Sequence, residues 1–297
     1  MIHFNKIFII ILILTASTFA QSLSELKENI QKLLSTQNGT FAIAFQELKN
    51  PDNAILINEN EVFNPGSTIK TCIMVQIYKE IFENILSLNQ PVKIVNSFNS
   101  VVDNSTYNMN LGTLTWDPIS YKVDSTITLY ELNKNMIINS SNIGMNNCLL
   151  LVTRDSVNNL MSSLGLSNTQ VNRFGDDYKA EEKGINNTST VKDMLLLYKM
   201  LYKKELFSTD ISEMMLKVLK EQKINHLLPV HLPKEVVIAH KTGTIVKGVH
   251  DCGIVYPENG RDYLIMFFSK NLDKNEDGLR IGSEISKMIY NFVTGTN

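Results

Sequence analysis

The sequence has little of what marks several large protein classes. Neither sign of charge dominates: 28 basic side chains stand against 30 acidic ones, a formal net charge of −2. That balance argues against nucleic acid or an anionic membrane surface as the partner. No apolar run reaches the roughly 20 residues that a membrane span needs. No repeat or low-complexity linker is visible, and no Cys/His spacing of a zinc site occurs, so neither a metal nor another cofactor is expected. Only three cysteines are present, Cys72, Cys148 and Cys252, each in apolar surroundings (KTCIM, NNCLLL, DCGIVY). An odd count argues against a full disulfide framework; buried free thiols are expected, with one disulfide plus one thiol as the alternative.

What is there begins with MIHFNKIFIIILILTASTFAQS, a basic start at Lys6, an apolar stretch from Ile7 to Leu14, and small residues at Thr18 and Ala20. This is the pattern of a secretory leader cut after Ala20. Export to the periplasm or medium follows, with no membrane anchor left on the mature chain 21–297, whose formal charge becomes −3 once Lys6 is lost. A monomer is expected.

Ser22 and Glu25 read as a capping box opening a helix through Leu34, with Leu23, Leu26, Ile30 and Leu33 on one face. TFAIAFQEL (Thr40–Leu48) and AILINEN (Ala54–Asn60) read as a hairpin joined by NPDN. Near the other end, EVVIAHKTG (Glu235–Gly243), CGIVY (Cys252–Tyr256) and DYLIMFFSK (Asp262–Lys270) read as strands. A closing helix, DGLRIGSEISKMIYNFV, puts Leu279, Ile285, Met288, Ile289 and Phe292 on its apolar face. The segment between is mainly helical. The expected fold is therefore α+β: an antiparallel sheet of about five strands built from both chain ends, flanked by the terminal helices. Its α/β part comprises about 21–66 and 229–297, and a helical part of about 67–228 is inserted. A site would lie in the seam.

Three motifs carry chemistry. In NPGSTIK (Asn64–Lys70), Ser67 and Lys70 share one helix face. A serine at a helix start lies among unpaired amides that favour developing negative charge, and a desolvated lysine beside it can take its proton. In NSSNIGMNNCLLL, Ser140 and Asn142 stand just before an apolar helix, offering a hydroxyl for proton relay and an amide to grip a substrate. In HKTGT, Lys241 supplies a cation, Thr242 a hydroxyl, Gly243 a bare backbone against which a substrate can lie, and Thr244 a second amide donor.

Taken together, S-x-x-K, S-x-N and K-T-G resemble the motif set of class A β-lactamases and penicillin-binding proteins. TLYELNKNMIINSSNIGMNN resembles that family's approach to its second motif, with Ser141 in place of an aspartate and Asn146 at a matching downstream position. VVIAHKTGTIVKGVHDCGIVYPENG resembles the strand carrying the third, and the likeness spans about Thr40 to Val293. The resemblance implies a β-lactamase/transpeptidase-like fold and a small-molecule β-lactam or cell-wall peptide substrate. It also implies Ser67 as acylated nucleophile, Lys70 as its base and Ser140 as proton shuttle. Asn142, Lys241, Thr242, Gly243 and Thr244 would then bind substrate, with the Ser67 and Thr244 amides as the oxyanion hole.

The sequence departs from that pattern in NRFGDDYKAEEKGINNTST. A class A enzyme carries a glutamate shortly after an arginine and an aromatic residue, to activate the water that clears the acyl-enzyme; here Arg173 and Phe174 are followed by Gly175. Asp176, Asp177, Glu181 and Glu182 are the nearby acids. An arginine that would bind a substrate carboxylate is also missing after the third motif, with Lys247 or His250 as substitutes. The implied activity is hydrolysis of a β-lactam amide, with a penicillin-binding DD-peptidase, an esterase-like hydrolase of slow turnover, or a non-catalytic cell-wall-ligand sensor as alternatives. A Ser-His-Asp hydrolase would want a G-x-S-x-G elbow, which P-G-S-T-I is not.

Overall fold

Ser22 caps the first helix through the capping box: its hydroxyl accepts from the Glu25 amide while the Glu25 carboxylate accepts from the Ser22 amide. The structure, a computed structural model, describes residues 21–296; the leader 1–20 and its cleavage after Ala20 lie outside the described residues. From this cap the chain runs through α1 (Leu23–Ser35), β1 (Thr40–Glu47) and β2 (Ala54–Ile57), then a 3-10 turn at Gly66–Ile69 that leads into α2 (Lys70–Phe82). Short strands β3 (Pro91–Lys93), β4 (Phe98–Asn99), β5 (Thr106–Tyr107) and β6 (Thr126–Thr128) follow. Next come α3 (Leu129–Ile138), α4 (Asn142–Val152), α5 (Arg154–Ser163), α6 (Tyr178–Glu182), α7 (Val191–Lys203) and α8 (Thr209–Lys220). The chain ends with β7 (Val237–Ile245), β8 (Gly248–Tyr256), β9 (Tyr263–Lys270) and α9 (Asn275–Thr294).

The fold is α+β. Five antiparallel strands form one sheet in the order β2-β1-β9-β8-β7, so the two chain ends meet where Thr40 pairs with Lys270 and Glu47 with Tyr263. Successive side chains of a strand point to opposite faces. Phe41, Ile43, Phe45, Ile265 and Phe267 accordingly join a core beneath α1 and α9, while Ala42, Ala44, Leu264, Met266 and Phe268 join the core of the helical side. Because both faces are covered, these strands read as unbroken apolar runs rather than alternating ones.

On one face Leu26 and Ile30 of α1 and Ile281, Ile285, Ile289 and Val293 of α9 are fully buried, each worth about 1.5–3 kcal/mol of transfer. Leu279, Met288 and Phe292, expected on that apolar face, are only partly buried against it. On the other face α2 is buried all round from Lys70 to Tyr78, the pattern of a central helix. The middle segment is less uniformly helical than expected, since it also carries the two small ladders β3-β6 and β4-β5. All three cysteines are buried and free. Among the described residues no helix is long and apolar enough to cross a membrane.

Candidate active site

Ser67 does not open an α-helix; it lies in the 3-10 turn, and α2 begins at Lys70. The tighter turn still leaves the pair on one face. Lys70 Nζ donates to Ser67 Oγ at 3.0 Å, to the Ser140 carbonyl at 2.6 Å and to Asn142 Oδ1 at 2.7 Å. Lys70 is fully buried. Burial pulls its pKa from the ordinary lysine range down to about 7, opposed by the negative charges of Asp117 and Asp176. An amine so placed accepts a proton near neutral pH.

Ser140 turns the corner between α3 and α4 in a left-handed conformation, φ 56°, uncommon for a serine and tolerated where surrounding contacts fix it. Those contacts are the two lysines. Its carbonyl sits on Lys70, while its Oγ accepts from Lys241 Nζ at 3.0 Å and lies 3.4 Å from Lys70 Nζ. Lys241 is itself fully buried, and burial together with the charge of Lys70 drives its pKa well down.

β7 is the edge strand beside the 3-10 turn. Packing within the protein already requires a bare backbone at Gly243: a Cβ there would lie 2.6 Å from the Pro65 carbonyl oxygen and 3.2 Å from the Ser67 amide nitrogen. Reciprocally, a Cβ on Gly66, which has φ 52°, would meet the Thr244 amide nitrogen at 3.1 Å. These close approaches bring the Ser67 and Thr244 amides to one place, where Ser67 N has no hydrogen-bond acceptor among the described residues. Thr242 is buried on the strand, and Thr244 is exposed at a cavity of about 450 Å³. Ser67, Asn142, Asp176, Glu181, Asn187 and Thr244 share that cavity.

A family model for the beta-lactamase enzyme family matches residues 25–293. The chain belongs to the beta-lactamase enzyme family. Beta-lactamase VEB-1 of Pseudomonas aeruginosa is 25% identical over 285 residues, covering 89% of this chain and 88% of the relative. A beta-lactamase of Bacteroides uniformis is 25% identical over 289 residues, covering 91% and 92%. Among solved structures, an acyl-enzyme complex of mutant PBP-A with penicillin G matches with TM-score 0.79 at 26% identity, covering 93% of this chain and 98% of that one. TLA-1 extended-spectrum beta-lactamase shares the fold with TM-score 0.79 at 21% identity, over 92% and 99%.

Against the beta-lactamase pattern, the four loop acids separate. Asp177 is buried as the N-cap of α6 and also accepts from Ser100 Oγ and the Val101 amide, a supporting role for the loop. Glu181 faces Arg173 across 3.5 Å, and Glu182 is exposed outside the cavity. Asp176 alone of the four joins the lysine network: Asn142 Nδ2 donates to its Oδ1 at 3.4 Å, and burial raises its pKa. Gly175 is held by Asn146, which donates to its carbonyl at 3.0 Å and accepts from its amide at 2.7 Å. Tyr107 donates to the same carbonyl at 2.9 Å.

Neither suggested carboxylate anchor is suitably placed. His250 is buried between Phe63 and Phe268, and burial lowers its pKa to about 3, so it is neutral. Lys247 is exposed in the β7–β8 turn and does not itself line the cavity. His240 does pair with Asp251 at 2.9 Å, but its other ring nitrogen faces Asn225 Oδ1 at 3.0 Å and not a serine, which removes the Ser-His-Asp alternative there. Sequence reasoning missed Asp117, whose buried carboxylate receives Ser141 and the start of α4. The only linear cue is the Asp-Pro pair in TLTWDPIS, a turn signature with no spacing that ties it to the motifs.

Proposed function

We propose that the protein is an exported active-site serine hydrolase that opens the β-lactam amide through an acyl-enzyme on Ser67. The observation that carries this reading is Lys70 Nζ 3.0 Å from Ser67 Oγ, fully buried and with its pKa lowered to about 7. In this reading Lys70 takes the Ser67 proton as Oγ attacks the carbonyl carbon, and the Ser67 and Thr244 amides receive the developing oxyanion. Ser140 hands a proton to the departing nitrogen and is reprotonated from the lysine side. Asn142 holds the substrate amide, and Thr242 and Thr244 hold its carboxylate. An approaching substrate carboxylate also favours the protonated form of Lys241, restoring the positive potential that burial alone opposes. Export rests on the leader pattern at residues 1–20.

Release of the acyl group needs a base for water, and Asp176 is the acid we assign to it. It shares the cavity with Ser67, touches Asn142, and has a raised pKa suited to proton transfer. The second reading, a penicillin-binding protein that acylates readily and releases slowly, draws its support from Gly175, which brings no carboxylate at the position where class A enzymes are expected to carry one.

Intact-mass spectrometry during incubation with penicillin G tests the proposal. A transient adduct with turnover supports β-lactam hydrolysis, and a lasting adduct supports the slow-release reading. No adduct would overturn both in favour of another substrate class.

A further inference from the structure

The residue at position 141 raises a physical problem. The corner Ser140-Ser141-Asn142 must hold a serine at φ 56° and aim two side chains at Lys70. It also opens α4, whose first amides have no partners within the helix. A carboxylate at this point would satisfy those amides and complement the helix dipole. Ser141 offers only a hydroxyl, and that hydroxyl already accepts from the Gly144 amide at 2.7 Å.

The carboxylate arrives through space. Asp117, fully buried in the loop before β6, accepts at Oδ2 from Ser141 Oγ at 2.8 Å, from the Asn142 amide at 3.0 Å and from the Ile143 amide at 3.4 Å. Its Oδ1 accepts from the Ile119 amide at 2.9 Å, and its carbonyl accepts from Ser120 Oγ at 2.7 Å, which fixes the loop that delivers it. The Ser141 hydroxyl therefore works in both directions, donating to Asp117 and accepting from Gly144. An aspartate at 141 could accept but not donate, and it would set a second negative charge against Asp117 in a buried place. Residues 117 and 141 are thus matched as carboxylate and hydroxyl.

We propose that Asp117 is the positioning residue of the Ser140–Asn142 corner, supplying from a distant loop the carboxylate that the second motif lacks. It touches no substrate in this account. It acts by fixing the α4 amides, and through them the Ser140 hydroxyl and the Asn142 amide. A second effect accompanies the first: its charge, like that of Asp176 beyond Asn142, favours protonated Lys70, while Lys241 on β7 and the buried Cys148 thiol on α4 are the other titratable groups near the amine. The inference rests on the serine-hydrolase reading for its effect on rate, but the corner itself can be probed without substrate.

The test uses Asp117→Asn, Ser141→Asp and the exchanged pair Asp117→Ser/Ser141→Asp in the full mature chain, with penicillin G as the acylating probe. Asp117→Asn is expected to slow adduct formation at Ser67 by about 10²-fold, because misplacing a reacting group costs that much. The loss should fall on the rate of acylation more than on the concentration giving half-maximal rate. The acid limb of the pH profile should move to lower pH, since a charge holding up the Lys70 pKa is gone. Ser141→Asp should be similarly impaired, and the exchanged pair should recover most of the loss. Amide exchange at Asn142 and Ile143 should accelerate at least about tenfold in Asp117→Asn, as expected for losing a charge-assisted hydrogen bond. The proposal is overturned by parent-like exchange at those amides, or by an exchanged pair no better than Ser141→Asp alone. If the parent forms no adduct, the serine-hydrolase reading fails separately, and the exchange measurement still decides the role of Asp117.

Discussion

Ser140 Oγ bridges two buried amines, accepting from Lys241 Nζ at 3.0 Å and lying 3.4 Å from Lys70 Nζ. The three motifs are far apart in the chain, yet this hydroxyl of the second meets Lys241 from the third and Lys70 from the first. Removing it should break the path that carries a proton to the leaving nitrogen. Ser140→Ala is therefore expected to slow acylation about 10²-fold. Ser140→Gly, which also relieves the left-handed backbone, should be slowed equally if the hydroxyl is what matters. Stopped-flow acylation with a chromogenic β-lactam measures both, and a Gly variant restored to the parent rate would assign the effect to backbone strain.

The depressed pKa of Lys70 fixes a pH dependence. The amine must be unprotonated to accept the Ser67 proton, and its pKa in the fold is about 7. Acylation should therefore rise with pH through about 7 and fall tenfold per unit well below it. The same shift acts on stability. The unfolded chain holds this proton up to the ordinary lysine range while the folded chain releases it near 7, so this group's contribution to stability grows as pH rises between the two. A flat acylation profile between pH 5 and 9, by the same stopped-flow assay, would contradict the assignment of Lys70 as base.

Asp176 and Gly175 make opposite predictions about release. Asp176→Asn should leave acylation within a few-fold and lengthen the adduct lifetime by about 10²-fold or more. A Cβ on Gly175 would lie 3.7 Å from both Asn142 Cβ and Met109 Cε and 3.3 Å from Asn146 Oδ1, so a side chain can start there with a small shift of Asn146. Gly175→Glu should shorten the lifetime by about 10²-fold, most clearly in the Asp176→Asn background. Time-resolved intact mass reads both lifetimes; unchanged release in Asp176→Asn would remove that carboxylate from the mechanism.

Asp177 should behave differently from its neighbour. Replacing it with alanine takes away the α6 cap and leaves Ser100 Oγ and the Val101 amide without their acceptor. A cost of about 1–3 kcal/mol in unfolding free energy is expected, measured by urea titration. Adduct formation at Ser67 should stay close to that of the parent at a temperature where the variant is folded.

The sheet was legible because its strands are apolar on both faces and capped by turn residues, as in TFAIAFQEL and DYLIMFFSK. The start of β8 was not: CGIVY marks the strand only from Cys252, whereas it begins at Gly248 and the fold buries the polar His250 and Asp251 within it. Ser67, Lys70, Ser140 and Lys241 were legible from local spacing, and the structure brings them into one hydrogen-bonded group. Asp117 was not, since its partner Ser141 lies 24 residues away and nothing periodic connects them. The packing constraint on Gly243 was hidden for a related reason: it comes from the Pro65 carbonyl, which only the folded chain brings near.

The central claim is that the Ser67 hydroxyl forms the covalent bond to substrate. Intact-mass analysis of the parent and Ser67→Ala with penicillin G, beside their hydrolysis rates, tests it most directly. The parent is expected to gain an adduct of one penicillin mass and the variant none, with hydrolysis by the variant reduced by at least about 10³-fold. A variant that still acquires the adduct, or still opens the ring at the parent rate, would contradict it.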